Sequence, residues 1–315
     1  MISFGACGIV VGHASDVEGA TGCTVVRGAA APLRCAAHVM GRATGTRELA
    51  PLEPGHLVDR VDAILLAGGS AYGLDAAAGV MRWMEERGRG FSVGAGVVPI
   101  VPAAVVFDLA PLGRFDARPT PAMGYAACDA AVDEPVEGSV GAGTGATVGK
   151  VAGPEGCMKG GVGIGAADAG AVVVRALAVV NALGDVRNGE GRIVAGARDA
   201  QGRFLDSMDW IARGAGERAR FDDLAGRNTT LCVVSTNAAL DRVQLAALAR
   251  AASAALYRRI TPVGTLFDGD VVFATAPTEG GLATPLAQIE VLAVRALEMA
   301  IERGVRTRAP GDILS

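Results

Sequence analysis

Thr229 and Thr230 stand where a polar, glycine-punctuated stretch gives way to an apolar run, and at that junction a nucleophile could arise without any histidine. Ala212-Arg213-Gly214-Ala215-Gly216-Glu217-Arg218-Ala219-Arg220 is charged and loop-like, whereas Leu231-Cys232-Val233-Val234 has the composition of a short buried strand. Cleavage of the Asn228–Thr229 bond would leave Thr229 opening that strand with a hydroxyl and a free α-amine. An α-amine titrates near about 7.7–8.0, so at neutral pH part of it is unprotonated and can accept the proton of its own hydroxyl. Asn-Thr-Thr is equally an ordinary turn ahead of a strand, and three residues alone do not choose between the two readings.

Two further groups have chemistry to offer. Asp268-Gly269-Asp270 runs into Val271-Val272-Phe273-Ala274, and in an extended chain residues i and i+2 share a side, so two carboxylates would face one spot. The same tripeptide is a common turn. Of 29 basic residues only Lys150 and Lys159 are lysine, both within a glycine-rich block, and the other 27 are arginine. Lysine there points to a place that needs a compact ammonium and not a wide guanidinium fork, although two accidental survivors of compositional drift would look the same.

Familiar motifs fail on their spacing. Gly149-Lys150 would need a Gly at Thr144 and a Ser or Thr at Val151 to make a phosphate-binding loop. Gly141-Ala142-Gly143-Thr144-Gly145-Ala146 fits the loose dinucleotide fingerprint, but no amphipathic helix follows it. Gly68-Gly69-Ser70-Ala71-Tyr72-Gly73 nearly makes a nucleophile elbow, yet its second Gly is displaced and all three histidines (His13, His38, His56) precede Ser70. Ser70 reads better as a helix N-cap.

The elements that must carry these residues follow from the apolar patterning. Val61–Ala67 reads as a strand turning through Gly68-Gly69-Ser70 into a helix with a Leu74, Ala77, Val80, Met81, Met84 stripe, ending near Gly88. Ala171–Val180, Arg192–Ala197, Leu231–Val234 and Val271–Ala274 read as further strands. Leu240–Tyr257 and Leu286–Arg303 read as long helices, the second with Ile289, Leu292, Ala293, Leu297, Ala300 and Ile301 on one face. Glycine is abundant (45 residues) and crowds into Gly138–Lys150 and Gly160–Gly165, where interleaved Val and Ile suit tightly packed strands better than a linker. No linker divides the chain, so layered α/β in a single domain over 1–315 is expected.

Composition narrows the partners. With 50% hydrophobic and 20% charged residues over 315, a net charge of -4 and a pI near 5.5, the chain can build a large core and lacks a basic surface for nucleic acid or a polybasic membrane anchor. A small-molecule or peptide partner fits better. No basic leader precedes an apolar run, and the six cysteines (Cys7, Cys23, Cys35, Cys128, Cys157, Cys232) form no CxxC pair, which suits reduced cytoplasmic thiols and suggests no metal site.

Taken in order, these segments resemble the DmpA-type aminopeptidase family, which includes L-aminopeptidase D-esterase/amidases, β-peptidyl aminopeptidases and nylon-oligomer hydrolases. The similar stretches include Val11-Gly12-His13, Thr44-Gly45-Thr46-Arg47-Glu48, Leu66-Ala67-Gly68-Gly69-Ser70-Ala71-Tyr72-Gly73, Val98-Pro99-Ile100-Val101-Pro102, Gly141–Lys150, Met158-Lys159-Gly160-Gly161, Val180-Asn181-Ala182-Leu183-Gly184-Asp185, Asn228-Thr229-Thr230 and Phe267-Asp268-Gly269-Asp270. The resemblance implies an αββα four-layer sandwich of the N-terminal-nucleophile-like (DmpA/ArgJ-like) type, made as one precursor and self-cleaved into 1–228 and 229–315. It implies an aminopeptidase or amidase acting on small peptides, amino-acid amides or oligoamides, without a cofactor, as a homo-oligomer, commonly a tetramer or larger. By the same resemblance Thr229 is nucleophile and new N-terminus, Asn228 ends the larger chain, and Asn181 stabilises the oxyanion. Asp268 and Asp270 contact the nucleophile's hydroxyl and amine, and Lys150 is the nearby cation, with Lys159 the other choice of register. Asn-Thr at the junction is similar to the nylon-oligomer branch; other members use Gly-Ser. Ala238-Ala239 replaces an expected Ala-Pro turn. The competing expectation is an uncleaved, inactive scaffold of the same fold.

Overall fold

The computed structural model describes residues 2–214 and 228–306, which form two five-stranded sheets packed face to face between two helical layers. The first sheet is built from β1 (Ile9–Asp16), β2 (Thr21–Gly28), β4 (Thr46–Arg47), β5 (Ala63–Ala67) and β6 (Ala103–Val105), in the spatial order β1-β2-β5-β6-β4. The second comprises β3 (Leu33–Val39), β7 (Gly161–Ala169), β8 (Val172–Asn181), β9 (Thr229–Thr236) and β10 (Val271–Pro277), in the order β7-β8-β9-β10-β3. Each sheet contains one parallel pair, β5 with β6 and β9 with β10, among antiparallel ones.

Alternation along the strands makes three apolar layers. Leu231 and Val233 of β9 point inward to meet Ile64, Leu66 and Val26 of the first sheet, while Cys232 and Val234 point outward beneath helices. The outer face of the first sheet is covered by α1 (Ala76–Glu85) and α2 (Pro121–Asp129). That of the second is covered by α4 (Arg242–Ala252), α5 (Ala254–Arg259) and α6 (Leu286–Arg306), and the short α3 (Ser207–Ala212) lies earlier in the chain. The order is therefore helix, sheet, sheet, helix, the expected αββα sandwich. Each Leu, Ile or Phe sealed in these layers contributes about 1.5–3 kcal/mol of transfer free energy.

The glycine block serves this packing. A Cβ on Gly163 or Gly165 of β7 would stand 2.0 Å from the carbonyl oxygens of Ala300 and Ala296 respectively, so the α6 backbone lies directly on the strand. Ala296, Ala300 and Gly304 supply the matching small face. The apolar stripe expected for α6 is buried throughout, and the helix runs three residues past Arg303.

Three local expectations are corrected. Ser70 is not an N-cap: its φ is +53°, it begins a 3-10 turn (Ser70–Asp75) ahead of α1, and its N–H donates to the Val106 carbonyl (3.0 Å). The Leu240–Tyr257 helix is two helices separated at Ser253, whose hydroxyl donates back to the Arg250 carbonyl (2.6 Å); the N-terminal stop is a capping box of Asp241 and Gln244. The 192–197 strand shortens to Ile193–Ala195. All six cysteines are buried free thiols. No helix among the described residues is long and apolar enough to cross a membrane.

Candidate active site

Two strand registers meet at Thr229. Thr229 opens β9 opposite Asn181, the last residue of β8, in antiparallel pairing. On its other side a parallel bridge joins Asn228 to Asp268, in the register that pairs Leu231 with Val271. Gly269 consequently lies against Thr229, and a Cβ there would stand 2.7 Å from the Thr229 hydroxyl oxygen. The carbonyl oxygen of Asn228, in the bond expected to break, accepts from the Thr229 hydroxyl (2.6 Å) and from the Gly269 N–H (2.8 Å). Asn228, Thr229, Asn181, Lys150, Asp268 and Asp270 are all buried.

Asn181 is held by its amide oxygen. Oδ1 accepts from Lys150 Nζ (2.8 Å) and from the Thr147 N–H (3.0 Å), and Nδ2 donates to the Phe107 carbonyl (3.1 Å). Lys150 also donates to the Asn181 backbone carbonyl (3.0 Å). Gly149 makes this placement possible: its φ is +70°, and a Cβ would stand 2.0 Å from the Ala197 nitrogen. The turned backbone hangs Gly149 and Lys150 on the Gly184 and Leu183 carbonyls (3.1 and 2.9 Å), beside Asn181. Lys159 is placed elsewhere, donating to the carbonyls of Gly143 (2.8 Å) and Gly160 (2.9 Å), where it ties the glycine block together. Geometry thus puts Lys150 on Asn181.

Asp268-Gly269-Asp270 is both a turn and a carboxylate pair. Residues 40–43 strap it: the N–H groups of Met40 and Gly41 donate to the Asp270 carbonyl, and those of Arg42 and Ala43 to that of Asp268. Asp268 Oδ2 accepts from the Thr265 N–H (2.8 Å) and hydroxyl (2.7 Å), and Asp270 Oδ1 from the Thr230 N–H (2.6 Å). In the uncut chain neither carboxylate bonds to the Thr229 hydroxyl. Strand alternation explains this, because Asp270 and Thr230 lie on the helix-facing side of the sheet with Val272 and Cys232, whereas Thr229 follows the inward phase of Leu231.

Burial raises both carboxyls. Asp268's two bonds from Thr265 and the Lys150 ammonium offset part of that, whereas Asp270, completely enclosed and facing the Asp268 charge, is pushed up to about 8. Asp270 therefore holds its proton near neutral pH. Asp108 is the buried carboxyl that sequence reading missed. It follows an apolar run, its partners Thr21 and Gly69 are distant in sequence, and its pKa is raised by burial to about 6. No cluster of His, Cys, Asp and Glu suited to a metal occurs among the described residues.

The pattern of peptidase family S58 matches residues 6–308. The chain belongs to peptidase family S58. An uncharacterized aminopeptidase of Mycobacterium tuberculosis (strain ATCC 25618 / H37Rv) is 43% identical over 252 residues, covering 78% of this chain and 70% of that one. A 6-aminohexanoate-oligomer endohydrolase of Agromyces sp. (strain KY5R) is 35% identical over 294 residues, covering 90% and 77%. Among solved structures, an L-aminopeptidase D-Ala-esterase/amidase from Ochrobactrum anthropi, described as a variant of the Ntn hydrolase fold, superposes with a TM-score of 0.68 at 20% identity over 93% of this chain and 82% of that one. A β-aminopeptidase of Burkholderia sp. gives 0.65 at 21% identity over 94% and 84%. This family S58 chain shares their fold and is a hydrolase of amide bonds.

The Asp270 proton makes a stability prediction. Unfolded, Asp270 titrates near about 3.9. Folded, it titrates near about 8, so between those values the native state holds a proton that the unfolded state lacks. Stability from this group is full below pH 4 and falls until the pH passes 8. Asp270→Asn keeps an acceptor for Thr230 and abolishes the titration. Urea midpoints in a Thr229→Ala background, chosen so that the expected cleavage at residue 229 does not enter, should favour the Asn variant increasingly from pH 5 to 8 and level off above. A difference that does not change with pH would refute the buried proton.

Proposed function

We propose that the chain is a self-processing amide hydrolase in which Thr229 serves first to cut the Asn228–Thr229 bond and then as N-terminal nucleophile. The observation that carries this is the 2.6 Å contact of the Thr229 hydroxyl with the carbonyl oxygen of Asn228, an oxygen already polarised by the Gly269 N–H. Attack of Oγ1 on the Asn228 carbonyl carbon forms an ester as the C–N bond breaks. The hydroxyl proton passes to the departing nitrogen. Water then hydrolyses the ester, leaving a carboxylate on Asn228 and a free amine on Thr229. The Gly269 N–H donates to the oxygen on which negative charge develops, where one such donor is worth about 10²–10³ in rate.

The freed site repeats the chemistry on a substrate amide or ester. Oγ1 attacks the substrate carbonyl, the Thr229 amine takes the proton and returns it to the leaving group, and water releases the acyl-enzyme. Asn181 supplies a neutral donor for the oxyanion; Lys150 and Thr147 fix its Oδ1, so the amide nitrogen has one orientation. The Lys150 ammonium favours the neutral form of the nearby amine, since like charges depress a basic pKa. The aminopeptidase and 6-aminohexanoate-oligomer hydrolase names of the relatives support small peptides, amino-acid amides and linear oligoamides as substrates.

Processing is read on a denaturing gel and by N-terminal sequencing. Wild type and Thr229→Ser should each give two fragments, the smaller beginning at residue 229, and Thr229→Ala a single chain. Fragments from Thr229→Ala would refute Thr229 as the cleaving nucleophile, and an intact, inactive wild type would favour an uncut scaffold instead.

The lysine assignment separates charge from shape. Lys150→Arg keeps the charge but brings a planar fork to Asn181 Oδ1, and should reduce kcat by about tenfold or more. Lys159→Arg is the control, expected to retain turnover within about threefold. The reverse pattern would move the role to Lys159.

A further inference from the structure

Asp108 is a fully buried carboxyl for which the steps above have no use, and the fold goes to some length to accommodate it. Three glycines on separate segments leave room: a Cβ on Gly68 would stand 1.9 Å from Asp108 Oδ2, on Gly145 2.8 Å from its Cβ, and on Gly113 1.9 Å from its carbonyl oxygen. Oδ1 accepts from the Gly69 N–H (2.6 Å) and Oδ2 from the Thr21 hydroxyl (2.7 Å). Gly69 aims its N–H there through a left-handed φ of +75°. The adjoining backbone is laced to the same turn, with Val106 N–H on the Ala67 carbonyl (2.8 Å) and Ser70 N–H on the Val106 carbonyl (3.0 Å). Between these fixed points lies Phe107, whose carbonyl accepts from Asn181 Nδ2.

Among the described residues no Arg or Lys forms an ion pair with Asp108. An asparagine would give the Gly69 N–H its acceptor and let the Thr21 hydroxyl turn to accept from the amide nitrogen, without the desolvation cost of a charge. What the carboxylate adds is its field. The Lys150 ammonium is close enough to draw the Asp108 pKa down against burial, and Lys150 bonds to both oxygens of Asn181.

We propose that Asp108 is a positioning residue of the hydrolytic site: it anchors the Phe107 carbonyl that orients Asn181, and its charge balances Lys150 beside the amine released at Thr229. This rests on Thr229 being the N-terminal nucleophile. With a pKa of about 6 Asp108 is mostly ionised at neutral pH, where it favours the protonated amine while Lys150 opposes it. The other titratable groups around Lys150, the Asp268–Asp270 pair and the Cys157 thiol, are left in place by the variants below.

The test is kcat/KM against pH for processed wild type, Asp108→Asn and Lys150→Met, on an amino-acid p-nitroanilide. Asp108→Asn should lower kcat by about tenfold with KM within about threefold, and should move the acidic limb down by about half a pH unit or more. Lys150→Met should move that limb up. If Asp108→Asn does not fold, Thr21→Val removes one donor while keeping the carboxyl, raises its pKa, and should shift the limb down by a smaller amount. An acidic limb unmoved in a folded variant, whether turnover is normal or reduced, overturns the assignment, because a purely structural carboxyl lowers the active fraction and the melting temperature without altering the profile. A wild type that lacks a Thr229 N-terminus would instead overturn the nucleophile assignment on which this proposal rests.

Discussion

Register is the constraint from which the site follows. Thr229 is fixed from one side by antiparallel pairing with Asn181 and from the other by the parallel register that sets Asn228 against Asp268. Side chains alternate along a strand with period two, so a slip of one residue on either side would turn Asn181 away or replace Gly269 by a residue whose Cβ could not fit beside the Thr229 hydroxyl. The slip is opposed by the apolar layers, because it would also send Leu231 and Val233 out of the inter-sheet core and Cys232 and Val234 out from beneath α4–α6. The packing that stabilises the sandwich therefore also sets the geometry of the Asn228–Thr229 bond.

Electrostatics is the second constraint, and it follows from burial. One ammonium, Lys150, and three carboxyls, Asp108, Asp268 and Asp270, are enclosed together. Four full charges could not share that space, and the strongly raised Asp270 keeps its proton. Lys150 draws Asp108 and Asp268 back toward the ordinary carboxyl range against the effect of burial.

Much of this was legible in the chain because the signals are local. The change from Arg220 to Leu231 marks a strand start, the i, i+3, i+4 stripe of Leu286–Arg303 marks a helix on a core, and glycines interleaved with Val and Ile mark backbones in close approach. What stayed hidden depends on distant partners. Nothing around Asp108 announces that Thr21 and Gly69 will hold it. Ser70 has the right residue type for a cap, but the turn that aims Gly69 at Asp108 forces it into positive φ. The break at Ser253 falls in an Ala- and Leu-rich run without Gly or Pro and depends on one back-bonded hydroxyl. The two lysines are indistinguishable until the chain is folded, when one reaches Asn181 and the other its own loop.

The central claim is that Thr229 is the atom donor for the acyl-enzyme. Incubating the purified protein with an activated amino-acid ester, quenching in acid and mapping the adduct by peptide mass spectrometry tests this most directly. The account predicts one acyl group on the peptide that begins at Thr229, carried on the hydroxyl and lost on incubation with hydroxylamine. An adduct carried by Ser70 or Cys157, or hydrolysis that proceeds with Thr229 still joined to Asn228, would contradict it.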